Sequence, residues 1–167
     1  MTYSNKTYVA FDGDKDIHYY YLMKAWKNNK HHSFNFYDAH DINSARDTST
    51  EETIKARLRE RMSNAKAFVL LVGESTRYLY KFVRWEIEQA ISRDIPIIVV
   101  NLNGLKKMDN DRCPPILADK LAIHIPFKQA IVEYALEHWI DSHVAHRRKG
   151  DSGPYFYKES VYKNLGL

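Results

Sequence analysis

The chain has 167 residues, a net charge of +4 and a pI near 9.0, and 44% of its residues are hydrophobic. This length and composition fit one folded domain with a core of ordinary size and argue against disorder. The modest positive charge comes with no base-stacking or groove-reading motif, so nucleic-acid binding is not expected as the main role.

A first strand and helix are predicted near the N-terminus. Residues 7–11 form a short β-prone run, which a turn at Asp12 and Gly13 closes. Asp16 is placed to cap a helix that reaches about Asn28, with an apolar inner face. These residues predict a first βα unit.

A second βα unit is predicted around a long polar loop. Residues 32–37 alternate enough to be a strand, and the polar segment 38–47 follows. Ser49 and Glu52 have the spacing of a capping box that opens a helix. The apolar positions of that helix recur every four residues: Ile54, Leu58 and Met62. Long loops between a strand and a helix are more often functional than structural.

The centre of the chain combines a buried strand with a helix that carries an unusual carboxylate. Residues 67–72 are apolar throughout, as in a central parallel strand. At about 100° per residue, Glu86 lies at the edge of the apolar stripe of the next helix, and Glu88 points toward water. Glu86 has two interpretations: a boundary residue that extends to solvent or pairs with Arg84 or Arg93, or a functional carboxylate held against the protein body.

The C-terminal part predicts two more strands and a last helix. Residues 95–100 and 121–125 form the strands, residues 101–120 are irregular, and residues 128–143 form the helix. The five strands predict a three-layer α/β domain at residues 1–145, with a flavodoxin-like parallel sheet flanked by helices. Residues 146–167 are expected to form a tail that packs on the domain or on a partner. Ligands of such sheets bind at the carboxyl ends of the strands.

Several classes of protein are disfavoured by what the chain lacks. Cys113 is the single cysteine, so no disulfide or cysteine metal site can form within one chain. The histidines near the last helix lack an acidic ligand set, and we expect no metal. The first residues have no apolar signal region, and the apolar runs have strand length rather than membrane length. We expect a cytoplasmic protein that does not enter the membrane.

The central block resembles a known family. Residues 73–76 (GEST), followed by residues 83–87 (VRWEI), are similar to the corresponding block of bacterial TIR-like proteins of the Thoeris antiphage type. Phe11 at the end of the first strand, the pair Asp38 and Ala39, and residues 97–104 are also similar to segments of that family. The resemblance covers roughly residues 6–142 and is most specific in the central block.

The resemblance implies a TIR-like fold and assigns roles to six residues. It makes Glu86, on the helix after the third strand, the catalytic carboxylate. The residues that it places around the substrate are Phe11, Asp12, Asp38, Ser75 and Thr76. It implies no metal and no cofactor, because NAD is the substrate.

The implied reaction is cleavage of the nicotinamide N-glycosidic bond of NAD. The Thoeris resemblance further implies a cyclic ADP-ribose isomer that signals to an effector protein, and TIR-like enzymes often need self-association. Two alternatives stay open from the sequence: a TIR-type interaction module that catalyses nothing, and a nucleoside deoxyribosyltransferase-like enzyme, which also places a glutamate against ribose.

Overall fold

The computed structural model describes residues 6–27, 35–37 and 50–167. Its strands are β1 Lys6–Ala10, β2 Asn35–Tyr37, β3 Ala67–Val72, β4 Ile97–Asn101, β5 Ala122–Pro126 and β6 Pro154–Tyr155. The α-helices of the described ranges are α1 Ile17–Lys27, α2 Glu51–Ser63, α3 Val83–Ser92, α4 Gln129–Lys149 and α5 Glu159–Asn164. The predicted α/β alternation is confirmed.

All the strands pair in parallel, in the order β2-β1-β3-β4-β5-β6. The chain therefore moves outward from β1 to β2 and then returns to the other side of β1 with β3. At such a switch of direction the loops after the two neighbouring strands diverge and leave a crevice. Here that crevice lies between the loops that follow β1 and β3.

The sheet is covered on both faces, which explains why β3 is apolar at every position. All six residues of β3 are buried. Val69 and Leu71 pack with α1 and α4, whereas Phe68 and Leu70 pack with α2 and α3. Side chains alternate between faces along a strand, so each central strand contributes to two separate cores.

The C-terminal segment adds a short sixth strand to the five that the sequence predicts. The helix α4 is longer than predicted and ends at Lys149. Gly150 caps it with a φ of 73°, the left-handed conformation that glycine adopts without strain. Then β6 pairs with β5, and Tyr162 of α5 is fully buried in the core on the α1/α4 face. Nζ of Lys106 forms an ion pair with Oε1 of Glu159, in the first turn of α5, at 3.2 Å.

The predicted start of α2 is wrong by one residue. Thr50, not Ser49, is the N-cap, and its Oγ1 accepts a hydrogen bond from the backbone N–H of Thr53 at 3.2 Å. Serine and threonine are both preferred N-cap residues, so the composition alone could not choose between neighbouring positions. Ser49, Asp38 and the predicted loop at residues 38–47 lie outside the described residues.

Candidate functional site

Glu86 is a buried carboxylate in the first turn of α3. Its exposed fraction is 2%, and its backbone N–H donates to the carbonyl of Phe82 at 2.8 Å. Val83 and Ile87 are buried beside it, whereas Glu88 is exposed. The rotation predicted from the sequence is thus confirmed, and Glu86 faces the sheet.

A tyrosine of β1 holds the carboxylate of Glu86. The hydroxyl of Tyr8 donates a hydrogen bond to Oε2 of Glu86. Tyr8 has no exposed surface, and its ring stacks on Phe68 of β3 with centroids 5.6 Å apart and planes 12° from parallel. Because the backbone and the ring of Tyr8 are both fixed by contacts within the sheet, its hydroxyl gives one oxygen of Glu86 a defined position.

The electrostatics of this pair keep Tyr8 a hydrogen-bond donor. Burial raises the pKa of the Tyr8 phenol well above its ordinary value, and the negative charge and hydrogen bond of Glu86 raise it further. The positive charge of Arg61 on α2 acts in the opposite direction on the same pKa. The phenol therefore stays protonated and directed at the carboxylate.

The neighbours of Glu86 along α3 are engaged elsewhere. Arg84 pairs with the exposed Glu88 at 3.1 Å, so the interpretation that Arg84 neutralises Glu86 is wrong. Trp85 packs toward α2, where Lys55 and Arg59 lie 5.5 and 5.6 Å from its ring centre. These contacts fix the rotation of α3 and hence the direction of Glu86.

The loop after β1 is closed by Asp12. Its Oδ1 accepts hydrogen bonds from the backbone N–H groups of Asp14 at 3.0 Å and Lys15 at 3.3 Å, which is the pattern of an Asx turn. Nζ of Lys15 then donates to Oγ of Ser75 at 2.7 Å. The loops after β1 and β3 are therefore joined across the crevice.

The loop after β3 is built around Gly73 and Thr76. The backbone N–H of Gly73 donates to Oγ1 of Thr76 at 2.9 Å, and this hydroxyl donates in turn to the carbonyl of Leu71 at 3.4 Å. The carboxylate of Asp16 lies so close to Gly73 that an added Cβ would be 2.4 Å from its Oδ2. Burial raises the pKa of Asp16, and the charge of Asp12 adds to this effect.

The structure brings together three of the five predicted substrate-binding residues. Asp12, Ser75 and Thr76 meet at the carboxyl ends of β1 and β3, on the side where the sequence placed the ligand. Phe11 is 7% exposed and stacks on Tyr20 at 4.8 Å, in the core on the α1/α4 face. Its ring has a packing role, and its contact with a substrate stays a prediction, as does that of Asp38 outside the described residues.

Sequence reasoning missed the partners of the predicted site residues. Alternation along β1 could have placed Tyr8 on the face opposite Phe11, but no sequence period tells which helix residue lies across from it. Lys15 and Asp16 follow the predicted turn and carry no motif of their own.

A cavity of about 290 Å³ lies beside α3. Val83 and Ile87, the buried neighbours of Glu86, contribute to its wall, together with Leu79 and residues 114–116. The lining is largely apolar. It includes Thr76, which belongs to the loop after β3 that borders the crevice. Glu86 itself does not line this cavity.

The fold and this arrangement define a class of protein: a three-layer TIR-like α/β domain with a carboxylate on the helix that follows the third strand. Residues 8–107 match the family model described as the TIR-like domain of Thoeris protein ThsB, and the chain belongs to this family. The matched range begins at Tyr8, includes Glu86 and ends after β4. The strands β5 and β6 and the helix α4 lie beyond it.

The described ranges contain neither a membrane-spanning helix nor a group of metal ligands. None of the helices in residues 6–27 and 50–167 is both long and apolar enough to cross a bilayer. In the same part of the chain, no three His, Cys, Asp or Glu side chains are grouped so that they could hold a metal ion.

Proposed function

We propose that the protein is a cytoplasmic antiphage enzyme that cleaves the nicotinamide N-glycosidic bond of NAD, with Glu86 as the catalytic carboxylate. The single observation that carries the proposal is the buried carboxylate in the first turn of α3, fixed by the hydroxyl of Tyr8. Membership in the Thoeris TIR-like family supports the same assignment.

The chemistry needs only one carboxylate. Nicotinamide leaves a pyridinium as a neutral molecule, so no general acid is required, unlike the pair of carboxyl groups in most glycoside hydrolases. As the C1′–N bond breaks, positive charge develops on the ribose. A carboxylate held in a water-poor site stabilises that charge far better than one in bulk water.

The fate of the ribosyl group then depends on the nucleophile. Water addition at C1′ gives ADP-ribose and one proton, whereas attack by an adenine nitrogen or a ribose hydroxyl of the same molecule gives a cyclic isomer and one proton. An acceptor in the same molecule has a high effective concentration once water is excluded. We therefore propose a cyclic ADP-ribose isomer, used as a signal to an effector protein.

Other residues of the carboxyl edge support binding of NAD. Lys15 provides a cation beside Ser75, where it could contact the pyrophosphate. Glu86 is 2% exposed, so groups that cover it must move before a ribose can reach it. This closed state supports the further proposal that self-association or an activating signal accompanies turnover.

The decisive experiment compares two carboxylates of one helix. NAD is incubated with concentrated wild-type protein, Glu86→Gln and the matched control Glu88→Gln, with and without lysate from phage-infected cells. Chromatography then follows nicotinamide and the adenine-containing products. We expect nicotinamide release to fall roughly 100-fold or more in Glu86→Gln, since the lost interaction acts in the transition state, and to persist in Glu88→Gln.

The companion product separates hydrolysis from cyclisation. Equal release by wild type and Glu86→Gln would contradict the proposal. No release under any condition, with all three proteins folded, would favour the interaction module. Transfer of deoxyribose from a deoxynucleoside to a second free base, with release of the first base, in a parallel assay without NAD, would favour the deoxyribosyltransferase alternative.

A further inference from the structure

A second cavity lies at the opposite end of the sheet from Glu86 and the crevice. Its volume is about 510 Å³, and it is bounded by the segments just before β3 and β4 and by the last turns of α4. This volume is within the range of about 300–1,000 Å³ that is typical of small-molecule sites. We call it the amino-end cavity, after the amino ends of the parallel strands.

The rim of the amino-end cavity is strongly cationic. Lys66, Arg93, Arg147 and Arg148 line it together with one carboxylate, that of Asp94. Arg147 is engaged, because its Nε donates to Oδ1 of Asp94 at 2.7 Å. Within the described part of the chain, the side chains of Lys66, Arg93 and Arg148 make no ion pair and no hydrogen bond. Three of the four cations thus share one concave surface without an ion-pair partner among the described residues.

One oxygen of the carboxylate at this site is already engaged. Oδ1 of Asp94 is shared by Arg147 and by Nε2 of His143, which lies 3.0 Å away. Asp94 itself has a φ of 54°, a conformation that residues with a side chain rarely adopt. The side chain of His143 is 4% exposed, and its Nδ1 is buried without a hydrogen-bond partner among the described residues. The hydrogen bonds among Asp94, His143 and Arg147 therefore give the cavity a fixed polar wall.

The floor of the cavity is apolar. Ile95, Pro96 and Ile140 contribute to it, and Val144 is 44% exposed beside them. A purely ionic ligand such as sulfate would use the rim and leave this floor wet. A ligand with an anionic group and a flat, weakly polar ring would use both.

We propose that the amino-end cavity binds a phosphate-bearing small molecule of the nucleotide class, with the phosphates on Lys66, Arg93 and Arg148 and the base on the apolar floor beside His143. This site is separate from Glu86, and the proposal does not depend on the NAD reaction.

The test is calorimetric titration of the full chain with ADP, inorganic pyrophosphate and adenosine. We expect ADP to bind more tightly than pyrophosphate, adenosine to give no measurable heat, and the affinity for ADP to fall as salt is raised. Arg93→Gln combined with Arg148→Gln should weaken ADP binding about tenfold or more, because two charge-assisted contacts are lost.

The matched control removes the same charge elsewhere. Lys128→Gln combined with Lys163→Gln changes two exposed lysines that do not line the cavity, and we expect it to leave ADP binding within about twofold, since distant exposed charges are screened. Equal weakening in both pairs, or none in either, would overturn the proposal. Equal binding of pyrophosphate and ADP would overturn the nucleotide assignment, and binding of DNA or RNA without ADP would overturn the small-molecule assignment. Heat of binding does not depend on turnover, so these outcomes are readable even if no NAD is cleaved.

Discussion

The two faces of the sheet bury very different side chains. Toward α1 and α4 the central strands present aliphatic residues such as Leu71 and Ile98, closed over by Trp139. Toward α2 and α3 they present Tyr8 as well, and Glu86 meets it from the helix. His124 points to this second face too, since Ile123 and Ile125 beside it on β5 belong to the first. Among the described core residues, the central strands contribute no ionisable side chain to the first face, whereas they contribute Tyr8 and His124 to the second.

On the second face, two ionisable side chains avoid the cost of an unpaired buried charge in different ways. Glu86 has a hydrogen-bond donor fixed by the sheet, as a buried carboxylate requires. His124 is fully buried and neither ring nitrogen has a partner among the described residues. Burial lowers the pKa of His124 to about 4, so it stays neutral instead. Glu86 thus has a hydrogen-bonded carboxylate in a fixed position, whereas His124 has a neutral imidazole that only packs in the core.

The largest expected effect is on the apolar face. Trp139→Ala should lower the free energy of unfolding by about 3–5 kcal/mol, because Trp139 is 2% exposed and packs against both His146 and Tyr155. Urea denaturation measures it. The control Val144→Ala, at a half-exposed position of the same helix, should stay within about 0.5 kcal/mol of wild type. A loss below about 1 kcal/mol in Trp139→Ala would show that this face is not the main source of stability.

The next largest effect is the pH dependence of stability that the buried His124 causes. An unfolded histidine takes up a proton below a pKa of about 6.5, whereas folded His124 does so only near pH 4. Its contribution to stability is therefore present above pH 6.5 and is lost as the pH falls toward 4, by roughly 3 kcal/mol.

Replacement of His124 should remove this dependence. Urea denaturation of His124→Leu between pH 7 and 4 should give a flatter slope than wild type, while His138→Leu, at an exposed position on α4, should leave the slope unchanged. If His124→Leu keeps the wild-type slope, His124 is not a neutral packing residue.

The smallest expected effect concerns two tyrosine hydroxyls. Tyr8→Phe should cost about 1–3 kcal/mol, because Glu86 then loses a buried donor. Tyr162→Phe should change stability by less than about 0.5 kcal/mol, since its buried hydroxyl has no partner among the described residues. Thermal or urea unfolding compares the pair, and nicotinamide release per folded molecule should fall only in Tyr8→Phe. Equal effects of the two variants would mean that the Tyr8 hydroxyl has no special role.

The fold was predictable where one signal dominated. The unbroken apolar run at residues 67–72 predicted the strand β3. The apolar stripe of α3 predicted both the helix and the inward direction of Glu86. The partner of Glu86 was not predictable, since Tyr8 is about 80 residues away and only the register of β1 against β3 brings it close. The two-residue strand β6 lies below the length at which alternation can be detected.

The position of β6 has a consequence for the edge of the sheet. A parallel sheet that ended at β5 would offer the outward-facing backbone groups of that strand to another chain. Here Pro154, which has no N–H to donate, and Tyr155 occupy that edge, and the chain then turns into α5. The strand β6 has two residues and a single backbone N–H, which is too little to pair with a strand of another chain. The C-terminal segment thus covers the start of this edge, at Ala122 and Ile123, and protects it against edge-to-edge pairing with another chain.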